Sequence, residues 1–417
     1  LHLLSRRQRQ MCIRDRGRLA DKVSGIFVPV VMGIALVTAI VWLACGATFE
    51  FALNVAISVL VISCPCALGL ATPLAIMVST GKCASRGILI KSAEALEQLH
   101  NVTTVVLDKT GTVTEGKPSV TDVVPSDGAS ERELVSLAAA LEKNSQHPLS
   151  VAVTEYADTQ NISSSGAENF KNFDGLGVEA TIEGRQALAG NAKLMAERNI
   201  DVSSASVAAE ELAGKGKTVM YFACGGKFFG LIAVADKVKP TSKEAVEALK
   251  KSGIEVIMLT GDNAVTAEAI RNEVGIDRIE AEVMPADKQR IVAELKNAGK
   301  KVVMVGDGIN DSPALMQADV GIAIGSGTDI AIESADVVLM KNDLTDVSRA
   351  IHYSKRTIRN IKQNLFWAFF YNSLGIPLAA GVLYPLWQIT LSPMIGALAM
   401  SLSSLFVVGN ALRLYRG

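Results

Sequence analysis

The sequence predicts a membrane α-helical bundle of four spans that carries a large, charged α/β insert. Three observations predict it. Asp, Glu, Lys and Arg are all absent from Val23 to Phe49, from Phe51 to Gly81 and from Asn364 to Leu412. Lys and Arg crowd the ends of these tracts. Between Lys82 and Lys362, short β-rich runs alternate with helical patterns.

A spanning helix needs roughly 20 apolar residues, so the first two tracts hold one span each, divided at Glu50. The third is long enough for two, with a turn near Tyr384-Pro385. Buried core helices of a soluble protein are the competing reading, but they seldom run so long without charge. Arg18 and Lys22 precede the first span, and Lys82, Arg86 and Lys91 follow the second. Lys355, Arg356, Arg359 and Lys362 precede the third, and Arg413 and Arg416 follow the fourth. The positive-inside rule places all these flanks, and the insert between them, in the cytosol.

Composition agrees. The 417 residues are 49% hydrophobic and 20% charged, with a formal net charge of -1 and a mean hydropathy of +0.30. The apolar content excludes disorder and collagen-like repeats. A near-zero charge gives no general pull toward nucleic acid. Six Cys are too sparse for a disulfide scaffold. The first sixteen residues, with Arg6-Arg7-Gln8-Arg9 and Arg14-Asp15-Arg16, lack the apolar core and cleavage site of a signal peptide. Residues 1–22 are read as a tail without function, and residues 23–81 as two membrane helices.

The insert is about 280 residues, long enough for two domains. Strands are expected at Thr103 to Leu107, Glu255 to Leu259, Lys301 to Val305, Val320 to Ile324 and Asp336 to Met340. Helices are expected at Ser242 to Lys251, Ala264 to Glu273 and Ala286 to Lys296. Strand–helix alternation argues a parallel sheet with helices on its faces, built from 82–116 and 234–350. Residues 117–233 interrupt it as a separate α+β domain. Residues 351–417 form a linker helix and the last two spans.

Asp108-Lys109-Thr110-Gly111-Thr112 follows the first strand. Thr260-Gly261-Asp262-Asn263 follows the second and Gly306-Asp307-Gly308-Ile309-Asn310-Asp311 the third. Parallel sheets place chemistry at the carboxyl ends of their strands. Three such loops suit a carboxylate nucleophile, a Lys and hydroxyls for a phosphoryl group, and two Asp for Mg2+. Any one loop alone would read as an ordinary strand-end turn.

These motifs resemble the phosphorylation domain of the P-type ATPases, within the haloacid-dehalogenase superfold. The resemblance implies that Asp108 is phosphorylated. It sets Lys109, Thr110, Thr260, Gly261, Asp262, Lys288, Asp307, Asn310 and Asp311 around phosphate and Mg2+, with Asp108, Thr110 and Asp307 as the Mg2+ ligands. Hydrolases of the superfamily usually carry a second Asp two residues after the nucleophile. Thr110 stands there instead and cannot move a proton near neutral pH. A lasting phosphoenzyme, hence a pump, is favoured over a membrane-anchored phosphatase.

In the inserted domain, Glu142, His147-Pro148, Asp174-Gly175-Leu176-Gly177 and Gly190-Asn191 are weak signals singly. Their spacing resembles the nucleotide-binding domain of heavy-metal (type IB) P-type ATPases. That implies ATP, with Glu142, His147, Gly175, Gly177 and Asn191 around the adenosine. In the second span Ser63-Cys64-Pro65-Cys66 frees backbone carbonyls, because Pro lacks an N–H. Thiolates select soft metals, and a disulfide across one residue would be strained. A kinked helix with two buried thiols remains the alternative. Tyr371-Asn372 lies in the third span, and Met400 with Ser403-Ser404 in the fourth. Together these resemble the copper(I) branch of the type IB pumps. The implied Cu(I) ligands are Cys64, Cys66, Tyr371, Asn372, Met400 and Ser403, with a copper chaperone as a source of the ion.

Ag(I) is the rival cargo, and a catalytically silent metal-binding module a rival class. Cys45, Cys83 and Cys224 are read as structural. Neither the Thr-Gly-Glu of an actuator loop nor Cys-x-x-Cys occurs. The resemblance therefore implies the C-terminal portion of a longer pump in a bacterial plasma membrane, without sustained Cu(I)-stimulated turnover by itself.

Overall fold

The computed structural model describes residues 18–64, 66–145, 148–173, 175–262, 264–307, 309–325 and 329–416. The basic tail, Pro65, His147, Asp174, Asn263 and Gly308 lie outside the described residues, as does the side chain of Cys66. The chain divides into two units, one up to Arg86 together with His352 onward, the other Gly87–Ile351.

The first unit is helical. Helix Arg18–Ala44 is followed by Phe49–Ile62, whose N-cap Thr48 accepts from the Phe51 N–H. That helix stops two residues short of the first cysteine and resumes as Cys66–Ser85. Ser63 Oγ donates to the Val59 carbonyl at 2.6 Å, and the Cys64 N–H reaches only three residues back, to Val61. The missing N–H of a proline explains the interruption. The latter part of Thr345–Ala379 and helix Pro393–Arg416 complete the bundle, with short helix Tyr384–Trp387 at the turn.

Val31, Ala35, Val59, Ile62 and Ala379 form one apolar contact, and Ala71, Ala368 and Val407 another. Small residues let helices approach. A Cβ on Gly375 would lie 2.5 Å from Ile62 Cδ1. Large apolar side chains such as Leu36, Phe366, Leu398 and Leu405 face outward. Among the described residues two helical stretches, Gly25–Ala44 and Pro393–Tyr415, are long and apolar enough to cross a membrane. Four spans were expected. The break after Ser63 splits the second tract, and the expected third span begins inside helix Thr345–Ala379, whose first half is charged, so neither presents an uninterrupted apolar helix of that length.

The second unit holds two sheets among the described residues. The strands are β1 Ile88–Ile90, β2 Thr104–Asp108, β3 Thr114–Pro125, β4 Ala167–Phe173, β5 Gly177–Ile182, β6 Arg185–Gly190, β7 Thr218–Cys224, β8 Lys227–Val238, β9 Glu255–Leu259, β10 Arg278–Glu280, β11 Val302–Gly306, β12 Val320–Ile324 and β13 Val337–Leu339. One sheet has the order β1-β13-β12-β11-β2-β9-β10, parallel except for β1. Its central strands are buried throughout, as apolar runs flanked by helices require. The five expected strands are present to within a residue. The three-residue β1 and β10 were not expected, being too short to show a period.

Register decides where the chemistry sits. Asp108 pairs with Leu259, and Val305 with Leu107. The loops after β2, β9 and β11 therefore emerge at one edge of the sheet.

The other sheet, β3-β8-β7-β6-β5-β4, is antiparallel. The chain leaves the first sheet on β3 and returns on β8, with Thr114 paired to Val238. The excursion is a few residues wider at each end than 117–233, because this pairing continues to the first sheet. Helices Glu131–Glu142 and Pro148–Thr159 cover one face, where Leu134, Leu141, Val153, Phe222 and Ile232 form the core. A capping box, Ser130 with Glu133, starts the first of these helices.

Candidate functional site

Asp108 closes β2 and is 5% exposed. Lys288, on helix Pro285–Asn297, donates to Asp108 Oδ1 and, at 2.8 Å, to Asp311 Oδ1. Carboxylate oxygens of Asp108, Asp307 and Asp311 lie within 4.8 Å of one another. Burial, then Asp311, push the Asp108 carboxyl up to about 6, against the pull of Lys288. Burial and Asp311 likewise raise Asp307. Three crowded carboxylates with one ammonium between them leave excess negative charge, and hard oxygen donors suit a divalent cation such as Mg2+. A Cβ on Gly111 would sit 1.7 Å from Asp307 Oδ2, and one on Gly306 2.6 Å from Asp311 Oδ2. Both carboxylates therefore pack where only glycine leaves room.

Beside this cluster Lys109 Nζ bonds Asp262 Oδ2 at 2.7 Å. The Asp262 N–H donates to Thr260 Oγ1, which is buried. Thr110, Gly261 and Asn310 are exposed at the rim. The structure thus joins Asp108, Lys288, Asp307 and Asp311 in one group and Lys109, Thr260 and Asp262 in a second.

The other sheet holds a cavity of about 680 Å³, lined among others by Glu142, Phe173, Gly175, Gly177 and Asn191. Burial raises the Glu142 carboxyl, while Ser145 works against the shift. Gly177 has φ +147°, and a Cβ there would meet the Ala189 carbonyl at 2.1 Å. Asn191 Nδ2 donates to the Gly175 carbonyl at 2.9 Å, and its Oδ1 accepts from the Leu194 N–H at 3.0 Å. Its amide shapes the cleft wall and caps a helix. A second cavity, about 520 Å³, is lined by Lys109, Asp262 and Asp236 and shares Leu149 and Thr218 with the first. The two cavities thus share part of their walls, and the second reaches Lys109, in the loop that follows Asp108.

In the helical unit Asn372 is 8% exposed and Tyr371 44%, its ring 6.0 Å from that of Trp367. Met400 and Ser403 are half-buried on the last helix. Cys64 is disulfide-bonded and would have to be reduced to present a thiolate.

A model of the haloacid dehalogenase-like hydrolases matches residues 102–319, and a second such model matches 288–351. The chain belongs to this family. Its relatives narrow the resemblance. The chain is 50% identical over 399 residues to the silver exporting P-type ATPase of Salmonella typhimurium, covering 95% of this chain and 48% of that protein. It is 51% identical over 401 residues to a copper-exporting P-type ATPase of Legionella pneumophila, covering 96% and 54%. A zinc-transporting PIB-type ATPase in an E2.Pi state superposes with a TM-score of 0.85 at 36% identity, over 95% of this chain and 63% of that one. The chain spans about half the length of the curated relatives it matches.

Within this haloacid dehalogenase-like domain, the sequence reading missed two residues. Lys239 is buried, and its Nζ donates to the Gly111 carbonyl and, at 2.5 Å, to Asn342 Oδ1. Burial lowers it to about 8, against Asp307 and Asp236. Asp236 accepts from Thr114 Oγ1 and from the Gly116 N–H. Lys239, just past β8, holds the loop after Asp108 from 128 positions away, and Asp236, on β8, holds the start of β3. The only signal is polar residues at the end of an apolar strand, which is unremarkable in itself.

Proposed function

We propose that this chain forms the phosphorylation, nucleotide-binding and ion-conducting parts of a Cu(I)-exporting P-type ATPase, with four membrane spans in a bacterial plasma membrane and Gly87–Ile351 in the cytosol. The observation that carries this is a buried Asp108 at a strand end, held by Lys288 beside Asp307 and Asp311, with Thr110 where hydrolases of the family have an acid. The names of relatives near 50% identity support the cargo class.

In the first half-reaction an Asp108 carboxylate oxygen attacks the γ-phosphorus of ATP. The bond from that phosphorus to the β–γ bridging oxygen breaks, ADP leaves, and an acyl phosphate forms. Lys288 steadies the attacking carboxylate and the Lys109–Asp262 pair lines the approach. Asp108, Thr110 and Asp307 would hold Mg2+, which when bound neutralises charge on the phosphoryl group. Nucleotide occupies the two neighbouring cavities, its purine near Glu142, His147, Gly175, Gly177 and Asn191. The exposed Thr110 supplies no general base for water, so the acyl phosphate persists.

Cys64 and Cys66, with Tyr371, Asn372, Met400 and Ser403, are the proposed Cu(I) path, fed by a copper chaperone. Ag(I) is the second cargo reading, favoured by the Salmonella relative.

The test is transfer of radiolabel from the γ-phosphate of ATP to the purified chain. An acid-stable, hydroxylamine-sensitive phosphoenzyme is expected, absent in Asp108→Asn. Equal labelling of that variant would overturn the assignment. Cys64→Ser and Cys66→Ser should each remove Cu(I) binding, since hydroxyls are hard ligands.

A further inference from the structure

At the basic end of the helical unit, helices Thr345–Ala379 and Pro393–Arg416 enclose a cavity of about 690 Å³ lined by Arg356, Arg359, Asn360, Gln363, Asn410 and Arg413. Neither phosphoryl transfer nor metal passage uses it. Its walls are fixed by a buried amide ladder. Asn360 Nδ2 donates to the Asn410 carbonyl at 2.8 Å, and Asn410 Nδ2 to Asn364 Oδ1 at 2.7 Å. Arg413 Nη1 donates to Asn410 Oδ1 at 3.2 Å.

The sequence holds no Asp or Glu from residue 347 to 417. Within this unit no described carboxylate pairs with any of the three arginines. Lys82, from a third helix, lies over the ring of Tyr415 at the same end. The neighbouring His352 is held below its usual range by burial and then by Arg356, Arg359 and Lys355. One or two turns further along, Phe366, Trp367, Phe370, Leu402 and Phe406 are exposed, with the Trp367 and Phe406 rings 6.2 Å apart across the two helices.

Basic residues flanking spans are ordinary, but a flank needs no cavity and no rigid wall. Here arginines of two helices converge on a concave polar space above an exposed aromatic and aliphatic surface. Guanidinium groups bind phosphate oxygens in pairs. Basic pockets at the ends of membrane helices suit anionic headgroups. We propose that this cavity holds the phosphodiester headgroup of an anionic membrane phospholipid, gripped by Arg356, Arg359 and Arg413, with its acyl chains on the apolar surface beside it.

The inference rests on the membrane reading of this unit, and the first step of the test separates the two. A chain that stays in solution without detergent sinks the membrane reading and this inference with it. A chain that needs detergent is stripped of lipid and returned to vesicles of phosphatidylcholine with or without phosphatidylglycerol. Lipid retained on re-extraction is counted by native mass spectrometry.

The wild-type chain should retain phosphatidylglycerol in preference. Arg356→Gln/Arg359→Gln/Arg413→Gln should lower retention on the order of a hundredfold, at roughly fivefold per arginine. Arg86→Gln/Lys355→Gln/Lys362→Gln removes the same charge away from the cavity and should lose far less. If the first triple variant fails to fold, Arg359→Gln alone, at an exposed position, should show about a fivefold loss. Equal loss in both triple variants, or no preference in the wild type, overturns the site. Displacement of the lipid by millimolar inorganic phosphate would reassign it to a free anion and overturn the lipid reading.

Discussion

The two sheets of Gly87–Ile351 build their sites by opposite means. The parallel sheet brings charged side chains together from two strand ends and a covering helix, so Asp108, Lys288, Asp307 and Asp311 define the site by what they present. The antiparallel sheet makes room by leaving side chains out. Gly177 and Gly190 let β5 and β6 close on each other, since a Cβ on Gly190 would meet the Leu176 carbonyl at 2.3 Å. The first site should respond to pH and charge. The second should respond to single methyl groups.

Lys288→Ala is expected to have the largest effect. It leaves the buried Asp108 and Asp311 carboxylates without their shared ammonium and should cost about 3–5 kcal/mol of stability, together with most of the phosphoenzyme signal. Chemical denaturation of both proteins measures it. Wild-type stability and labelling would show that the charges are not coupled through this lysine.

Next comes Gly177→Ala. Its methyl group meets backbone, and its φ is one that L residues avoid, so a loss of about 3 kcal/mol is expected. Gly175→Ala, with a positive φ but nothing within 4 Å of the added atom, should cost about 1 kcal/mol. Equal melting temperatures for the two variants would break the steric account.

The pH effect has a definite sign. Asp108 has a folded pKa of about 6, raised from 3.8. Its contribution is most favourable when it is protonated, at low pH, and is lost as pH rises through about 6. Without divalent cation, Asp108→Asn should therefore be more stable than wild type at pH 8, by about 3 kcal/mol. The difference should narrow by pH 5, and Mg2+ should narrow it at pH 8. A difference independent of pH would mean that Asp108 keeps an ordinary pKa.

The smallest effect is expected for Asn191→Ala, which removes a helix cap and the bond to the Gly175 carbonyl. It should cost about 1 kcal/mol, and nucleotide affinity should fall with it. Equilibrium binding of a non-hydrolysable ATP analogue is the measurement. Full affinity would leave Asn191 a cap and nothing more.

Much of the parallel sheet was legible because its strands are continuous apolar runs, each ending in an acidic turn. β2, β9 and β11 carry that signature within a few neighbouring residues. β1 and β10 do not, because three residues on a sheet edge show no period. Lys239 was illegible for a different reason. A lysine beside a strand end is ordinary in sequence, and only the fold buries it against Gly111. In the helical unit the uncharged tracts and the Ser63-Cys64-Pro65-Cys66 break could be read directly. The way the break divides an apolar tract into two shorter helices could not.

By itself the sequence determined what depends on near neighbours along the chain. The uncharged tracts, the helix interruption at Pro65, the strand that delivers Asp108 and the absence of an acid at Thr110 are all of this kind. Tertiary structure alone decided which distant groups meet. Lys288 joins Asp108 to Asp311 across 180 and 23 positions. Asp307 rests on Gly111, and two cavities share Leu149 and Thr218 in their walls. Arginines from two helices line one polar cavity. Period and propensity act over a turn or a pleat. Burial, which sets the charge state of Asp108 and the geometry around it, exists only once remote segments have packed.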